Sequence, residues 1–410
     1  MKKLLYIVAP VFFVLILMTQ VDDDLSEEAH NLLGRIDTNG ESESYLYLFG
    51  IFAEEGEDPV NVGKKLLEEY RKLEDDESYE VNEYPDSKRL TLPEGDEFCK
   101  TWEEGCLEYL FSVDIDAIDL LKNYRMLVSR SNRFHEFNEY KTLSKPRINE
   151  PFSHYQYITS AERIKVLEAI SLYKNGDTPK SIENLLVQFS KLRKSMSLQD
   201  NIIGKLEFLM KLSEVIDVLS VIMSNEESDV EAIESLSETE KSFYMIAARE
   251  FGMTYYLLEN INKHPERSKM KSPFSLGPGL IRIFYKPNMT INAITPIYFR
   301  LENFAKLSPS EFAEKIENED RFSPSTSKLR NYAGNTLIAS YSEYEEYAAR
   351  FFDFDAKLAL FNQIHILNRD LDSMKNPYYE AEIPEQSGEK LCFSGPLEDK
   401  VSLRCLRLKI

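Results

Sequence analysis

The chain of 410 residues is 43% hydrophobic and 12% aromatic, a composition that supports a hydrophobic core and excludes global disorder. Glycine and proline are scarce, at 15 and 17 residues, which favours long helices over a β-sandwich or a barrel. A formal net charge of −21 opposes nucleic-acid binding, so we expect no nucleic acid among the partners.

The first predicted element is a membrane segment. Residues 4–21 contain no charge, with Lys2 and Lys3 before the run and three aspartates after it. A helix of about 18 residues extends roughly 27 Å, which is just enough for a bilayer core, and positive flanks stay in the cytoplasm. We therefore expect residues 1–21 to be a signal-anchor that contacts the lipid bilayer through residues 4–21, in a single-pass inner-membrane protein with its body in the periplasm.

A cleaved signal peptide is the alternative, and it would release the body as a secreted protein. Cleavage requires small residues after the apolar stretch, whereas residues 18–21 read Met-Thr-Gln-Val. A third interpretation is a helix buried inside a soluble protein. The poor cleavage site favours the uncleaved anchor.

Residues 22–42 are polar and acidic and are predicted to be a linker that includes a short helix. The region 43–152 follows, with mixed and helical character. Its aromatic run at 45–52 predicts a short strand, and a buried short helix stays open because a continuous apolar run has no readable period. Asp58 and Pro59 have the residue types of an N-cap and a first helical position, so we predict a helix that begins there.

Residues 153–410 are predicted to form a helical body that ends in a disulfide-linked hairpin. Long helices with short turns occupy residues 153–262, and such helices pack as antiparallel neighbours. Thr295 and Pro296 predict another helix start, and aromatic residues at helical spacing predict a long helix over residues 341–371. We therefore predict a mainly α fold of antiparallel helical hairpins, arranged as an irregular bundle or a short superhelix.

The four cysteines predict disulfides, because an even number in an exported chain is typical of paired cysteines. Cys99 and Cys106 are close in sequence, and so are Cys392 and Cys405. We favour these local pairs, and the other two connectivities stay open. The second pair suits a C-terminal hairpin. A zinc site is less favoured because the short spacing of zinc-binding cysteines is absent, and we expect neither a metal nor a cofactor.

Few residue patterns indicate catalysis. Asp353 and Asp355 are two apart and point to different faces of a helix, so they do not form an acid–base pair. Arg350 can reach Asp353 across one helical turn, which predicts an ion pair. The other candidates lie in no metal motif, nucleophile motif or nucleophile elbow, and they are His30, His135, His154, His264, His365, Ser195, Ser197 and Ser310. We therefore expect no catalytic residue and favour a role other than that of an enzyme.

Several short segments carry a family resemblance. They are Leu48-Phe49-Gly50 to Glu57-Asp58-Pro59 with Gly63, Ile202-Ile203-Gly204-Lys205, Pro287-Asn288-Met289-Thr290-Ile291-Asn292, Tyr332-Ala333-Gly334-Asn335, Tyr344 through Arg350 to Asp355, and Asn376-Pro377-Tyr378. In this order they resemble a group of uncharacterised, single-anchor bacterial envelope proteins over most of the chain. The family has no assigned activity. The resemblance therefore implies export to a bacterial envelope and assigns no role to any residue.

The favoured functional hypothesis is a membrane-anchored helical scaffold or binding module that contacts another envelope protein. One alternative is a hydrolase of envelope polymers that uses scattered Asp, Glu and His residues brought together by folding. The other alternative is a small-molecule-binding sensor domain. A concave cleft with converging carboxylates would favour the hydrolase, because acid–base chemistry requires such groups to share one site.

Overall fold

The computed structural model describes residues 20–73, 84–224, 230–263, 284–318, 324–339 and 344–408. All but the last two residues of the predicted membrane segment therefore lie outside the described residues. Within these ranges, none of the helices combines the length and the apolar character that a bilayer crossing requires.

The described chain is mainly helical, which confirms the predicted fold class. The helices are, in chain order, α1 (Glu27–Arg35), α2 (Glu43–Phe49), α3 (Pro59–Leu73), α4 (Cys106–Ser112), α5 (Ala117–Asn123), α6 (Arg125–Phe134), α7 (Tyr155–Lys174), α8 (Thr178–Leu198), α9 (Ile202–Met223), α10 (Glu238–Lys241), α11 (Tyr244–Lys263), α12 (Pro287–Phe304), α13 (Pro309–Asn318), α14 (Tyr332–Ile338) and α15 (Glu345–Phe361). A π-helical turn, Asn362–Ile366, extends α15.

The only sheet of the described residues lies near the C-terminus. Its strands are β1 (Glu385–Ser387), β2 (Lys390–Cys392) and β3 (Cys405–Arg407), in the order β1-β2-β3 and antiparallel throughout. Cys392 stands opposite Cys405 in the register of β2 and β3. The hairpin predicted for the C-terminus is therefore present, with one additional edge strand.

The short strand predicted near residues 45–52 is wrong, because residues 43–49 form α2. Ser42 caps this helix by accepting a hydrogen bond from the backbone N–H of Tyr45. The side chains of Tyr45, Leu48 and Phe49 are all at most 3% exposed. A short helix buried on nearly every side carries no amphipathic pattern, so its apolar run resembles that of a buried strand.

The helix start predicted at Thr295 and Pro296 is also wrong, because α12 begins at Pro287 and contains Pro296 in its interior. Proline leaves one helical carbonyl without its usual N–H donor. In the turn that Pro296 disturbs, the Thr295 hydroxyl donates a hydrogen bond to the carbonyl of Ile291 at 2.8 Å. The tertiary packing of α12 thus outweighs the preference of Thr295 and Pro296 for a helix start.

The centre of the fold is the antiparallel series α7, α8 and α9, joined by short turns as predicted. The Asp177 side chain caps α8, and the Asn201 side chain caps α9 by accepting from the N–H of Gly204 at 2.8 Å. Helix α9 also packs against α15 and β3. It is therefore the element that joins the helical core to the C-terminal sheet.

Helices α2 and α3 cross so closely that only glycine fits between their backbones. A Cβ atom on Gly63 would lie 2.0 Å from the carbonyl oxygen of Leu46, and one on Gly50 would lie 2.1 Å from that of Pro59. A backbone oxygen inside a helix cannot move aside as a flexible side chain can. The two glycines therefore set the distance between these helices.

We expect Gly63→Ala to lower the free energy of unfolding by about 1–3 kcal/mol or more, since the added methyl forces α2 and α3 apart. Gly34→Ala is the matched control, because Gly34 lies in helix α1 with open space around a new Cβ. This control should gain about 0.5–1 kcal/mol from helix propensity. Denaturant unfolding of both variants measures the difference, and equal stabilities would refute the close crossing.

Candidate functional site

The residues that directly follow the predicted membrane segment are built into the helical body. The Asp22 carboxylate accepts hydrogen bonds from the backbone N–H groups of Asn288, at 2.9 Å, and Met289, at 3.1 Å. These groups belong to the first turn of α12, where helix N–H donors have no partner within the helix. The N-cap residue Lys286 makes no side-chain cap of its own. Asp22 therefore supplies the cap from the far end of the chain, with the charge that a helix N-terminus favours.

Further polar contacts hold the same segment along its length. Asn288 and Asn292 donate from their side-chain amides to the carbonyls of Asp23, at 2.9 Å, and Asp24, at 2.8 Å. Arg330 donates to the carbonyl of Val21 at 2.7 Å and pairs with Asp23 at 3.0 Å. We call residues 21–26, together with Asn288, Met289, Asn292 and Arg330, the exit clamp.

Helix α1, which lies in the segment predicted as a linker, packs against α11 and α12 directly after the clamp. Arg35 at its end pairs with Glu302 of α12 at 2.8 Å and lies 4.0 Å over the ring of Tyr244. The chain is thus fixed to the body from residue 21 to the end of α1.

Asn331 holds the start of α12 in place behind the clamp. Its side chain accepts from the N–H of Lys286 at 2.8 Å and donates to the hydroxyl of Thr290 at 2.8 Å. Gly334 permits the close approach, because a Cβ there would lie 2.2 Å from the Thr290 hydroxyl oxygen. Two segments of the family resemblance, 287–292 and 332–335, therefore meet at this place.

A surface groove of about 820 Å³ lies between α6 and the loop before α3. Arg130 supports its floor by donating to the carbonyls of Ile51, at 2.6 Å, and Glu54, at 3.1 Å. The groove is open to solvent, and its lining residues are Tyr47, Gly56, Glu57, Asp58, Pro59, Arg125, Met126, Val128, Ser129, Arg130, Asn132, Arg133 and Glu136. We call this the α6 groove.

Both acidic and basic side chains line the α6 groove, with Arg125, Arg130 and Arg133 on α6 and Glu57 and Asp58 on the loop before α3. Arg125 lies 3.4 Å from Glu55, and Arg133 lies 2.7 Å from Glu136. All four side chains are more than half exposed, so these pairs contribute little to stability and can exchange partners easily. Such a surface can bind a partner that carries both signs of charge. A smaller groove of about 570 Å³ lies beside the exit clamp, where Ser26 and Asn292 line it.

Folding also brings together a serine, a histidine and a glutamate at the distances of a hydrolytic triad. The Nδ1 atom of His135 lies 2.7 Å from the Ser195 hydroxyl, and its Nε2 atom lies 3.1 Å from the Glu162 carboxylate. His135 follows the end of α6, Glu162 lies on α7 and Ser195 lies on α8, so no local sequence motif predicts that they meet. We call them the buried trio.

The buried trio is sealed inside the helical core. The side chains of His135 and Glu162 are 1% and 0% exposed, and Ser195 does not line either groove. Glu162 also accepts from Lys165 at 2.6 Å and from Gln188 at 3.0 Å. Burial raises the pKa of Glu162, but Lys165 and His135 outweigh burial and hold that pKa below its usual range. The carboxylate is therefore an ionised hub of a structural network, and Ser195 beside it is only 3% exposed.

The remaining histidine candidates lie apart from one another. His154 packs edge-on against Phe52 with ring centroids 4.4 Å apart. His365 lies 2.9 Å from the hydroxyl of Ser220. His30 is exposed on α1, and His264 lies outside the described residues.

The ion pair predicted between Arg350 and Asp353 is wrong. Asp353 accepts instead from Arg404 at 2.9 Å and from the Tyr378 hydroxyl at 2.7 Å, while Arg350 lies 5.2 Å over the ring of Tyr347. Burial raises the pKa of Asp353 to about 6, and Arg404 opposes that rise. Asp353 faces the core, where an unpaired charge is costly, so partners from the C-terminal segment displace the exposed local one.

Asp355 faces a different set of partners, as its spacing from Asp353 predicts. It accepts from the backbone N–H of Leu236 at 2.6 Å and from Lys241 at 3.2 Å. The two aspartates thus fasten different parts of the chain to α15 and do not form an acid–base pair.

The structure pairs the cysteines locally, with sulfur–sulfur distances of 1.99 Å for Cys99–Cys106 and 2.14 Å for Cys392–Cys405. The first pair closes a loop that is held on α7, since Arg163 donates to the carbonyl of Cys99 at 2.7 Å. In the part of the chain that the structure describes, no cluster of three His, Cys, Asp or Glu side chains could hold a metal ion.

No protein-family model, curated protein or solved structure matches this chain.

Lys205 is a buried lysine whose ammonium group has few polar partners to replace the water lost on burial. It is 1% exposed, donates to the carbonyl of Ser242 at 2.6 Å, and lies 5.7 Å from the ring centroids of Phe243 and Phe351. Burial lowers its pKa from 10.5 to about 7, although Glu240 acts in the opposite direction. The folded protein therefore releases a proton near neutral pH that the unfolded chain keeps to about pH 10.

We expect Lys205→Met to stabilise the fold at pH 7 and below by about 1–3 kcal/mol, because it removes a poorly solvated charge. Between pH 7 and 10 the unfolded chain binds one more proton than the folded protein, so the free energy of unfolding of the wild type rises with pH. The stability difference between Lys205→Met and the wild type should therefore shrink over this range. Denaturant unfolding at several pH values measures this change. Lys64→Met, at an exposed position on α3, is the control, and its stability difference from the wild type should stay constant with pH. A constant difference for Lys205→Met would argue against the lowered pKa.

We expect Ser195→Ala to lower stability by about 1–3 kcal/mol, because it leaves a buried nitrogen of His135 without a partner. Ser197→Ala, at a half-buried hydroxyl that bonds within its own helix, should have a smaller effect. A fluorophosphonate probe should leave Ser195 unlabelled in the native protein. Labelling that is present in the wild type and lost only in Ser195→Ala would show that the buried trio is accessible and catalytic.

Proposed function

We propose that this chain is a single-pass inner-membrane protein of the bacterial envelope, whose helical body in the periplasm serves as a scaffold or binding module for another envelope protein. Membership of the single-anchor envelope family that the sequence resembles is part of this proposal. The exit clamp is the observation that supports the proposal. A segment that merely tethers a domain needs no contacts with that domain, whereas residues 21–26 are fixed to α12 and Arg330.

The clamp would limit the distance between the body and the bilayer. Asp22 follows directly after the apolar run 4–21, and an extended residue spans at most about 3.5 Å. Under this proposal the start of α12 therefore lies at the membrane surface, and the body has one orientation relative to the bilayer. A fixed height and orientation are what a scaffold requires.

The α6 groove supports the binding role. It is open, it is lined by both acidic and basic side chains, and the exposed ion pairs at it can exchange partners. A net charge of −21 opposes nucleic acid as the occupant. We favour a protein segment with both acidic and basic residues.

A small-molecule sensor is the second candidate, because a volume of about 820 Å³ lies within the range of ligand pockets. The openness of the groove and its charged lining fit this role less well, since such pockets are mostly enclosed and apolar. The hydrolase hypothesis needs Asp, Glu and His residues brought together by folding, and the buried trio is one such group, but the burial of its three residues opposes this role.

Site-specific photocrosslinking in intact bacterial cells tests the binding role. A photoreactive residue at Asn132, which lines the α6 groove, should give one discrete adduct with an envelope protein, whereas the same residue at the exposed position Ile118 should not. Fractionation of the same cells should recover the full chain in the inner membrane, with a body that protease reaches in spheroplasts. Recovery of the full chain in the cytoplasm would refute the proposal.

We expect Asp22→Ala to speed hydrogen exchange of the Asn288 and Met289 amides about fivefold, because loss of a helix cap costs about 1 kcal/mol. Asp24→Ala is the matched control, since the backbone carbonyl of Asp24 that accepts from Asn292 remains. Mass spectrometry or NMR of the full chain in vesicles measures the exchange. Equal rates in the wild type and Asp22→Ala would show that the clamp does not form.

A further inference from the structure

The turn at residues 328–332 touches the end of the predicted membrane segment. Arg330 lies in the middle of this turn and donates to the carbonyl of Val21 at 2.7 Å. Val21 is the last residue of the apolar run. If the run enters a bilayer as proposed, this contact would hold the turn close to the same surface.

Large apolar side chains are exposed on this turn. Leu329 is 72% exposed, Tyr332 at the start of α14 is 45% exposed, and Val21, whose carbonyl Arg330 contacts, is 61% exposed. A single exposed leucine carries no information, whereas several exposed large apolar side chains at one chain exit are typical of a contact surface. The aliphatic and aromatic types also fit a membrane interface, where tyrosine is enriched at the level of the headgroups.

The backbone holds these side chains outward. Asn331 is fully buried, and its N–H donates to the carbonyl of Ser327 at 2.9 Å. The N–H of Arg330 donates to the Ser327 hydroxyl at 3.2 Å. Because Asn331 points into the body and Arg330 points to the clamp, Leu329 is left on the outer side. The turn is thus ordered before it meets a partner.

Charge does not oppose a lipid surface at this place, although the whole chain is strongly acidic. Lys328 and Arg330 belong to the turn, and Asp22, Asp23 and Asp24 belong to the clamp, whereas Lys286 is buried. The Asp22 carboxylate is occupied by α12, and Asp23 pairs with Arg330. A zwitterionic bilayer carries no net charge, so it does not repel this face.

We infer that the turn at residues 328–332 is a second membrane contact, which lies on the bilayer beside the anchor with Leu329 inserted at the boundary between headgroups and acyl chains. This inference rests on the proposed membrane anchor. The anchor gives attachment, and the turn gives orientation, because two contacts on one surface prevent the body from tilting.

Fluorescence quenching by brominated lipids tests this contact in the full-length chain. The native Trp102 is replaced by phenylalanine, and a single tryptophan is introduced by Leu329→Trp or, as the control, Ile118→Trp. Both positions are largely exposed, at 72% and 80%, so neither substitution disturbs the core. In phosphatidylcholine vesicles with bromine near the headgroup end of the acyl chains, the residue 329 probe should lose most of its emission and shift to shorter wavelength. The residue 118 probe should keep its emission.

The possible failures are distinguishable. If the chain floats with the vesicles but the residue 329 probe is not quenched, the second contact is refuted and the anchor stands. A shift to shorter wavelength without quenching by brominated lipid would mean that a second copy of the chain covers the turn, which also refutes the inference. If the chain does not float with the vesicles, the proposed anchor fails and the inference fails with it.

Discussion

The burial of helix α9 is the constraint on which the rest of the structure depends. This helix lies among α7, α8, α15 and β3, so its charged side chains have little water to solvate them and must find partners in neighbouring elements. Glu214 pairs with Arg163 of α7 at 2.7 Å, and Asp217 pairs with Lys357 of α15 at 2.8 Å. Each pair specifies which helix packs on which face of α9, because removal of one partner would leave a buried charge.

The same requirement organises the C-terminal segment. Asp353 is buried on α15, and its partners Arg404 and Tyr378 come from the chain that follows the helix. The Cys392–Cys405 pair then holds β2 and β3 together beside that contact. A small sheet of three-residue strands is marginal by itself, and it is stable here because it is fastened to the helical core.

At the other end of the chain, the exit clamp makes the segment after the apolar run part of the fold. Asp22 accepts hydrogen bonds from the first backbone N–H groups of α12, a helix that begins 265 residues later along the chain. Under the proposal of a membrane anchor, these contacts would connect the anchor directly to the start of α12. The acidic residues after the apolar run contact the helical body, as Asp22 does at α12 and Asp23 does at Arg330.

The sequence by itself determined the features that depend on neighbouring residues. Helical periodicity predicted the mainly α fold, Asp58 and Pro59 predicted the start of α3, and the spacing of the cysteines predicted their local pairs. Only the tertiary structure decided the rest. It made residues 43–49 a helix, gave Asp353 to Arg404 rather than to Arg350, and placed Asp22 on α12. The physical reason is common to all three: burial removes the periodic pattern and demands a partner for every charge, and the element that supplies the partner can be hundreds of residues away in sequence.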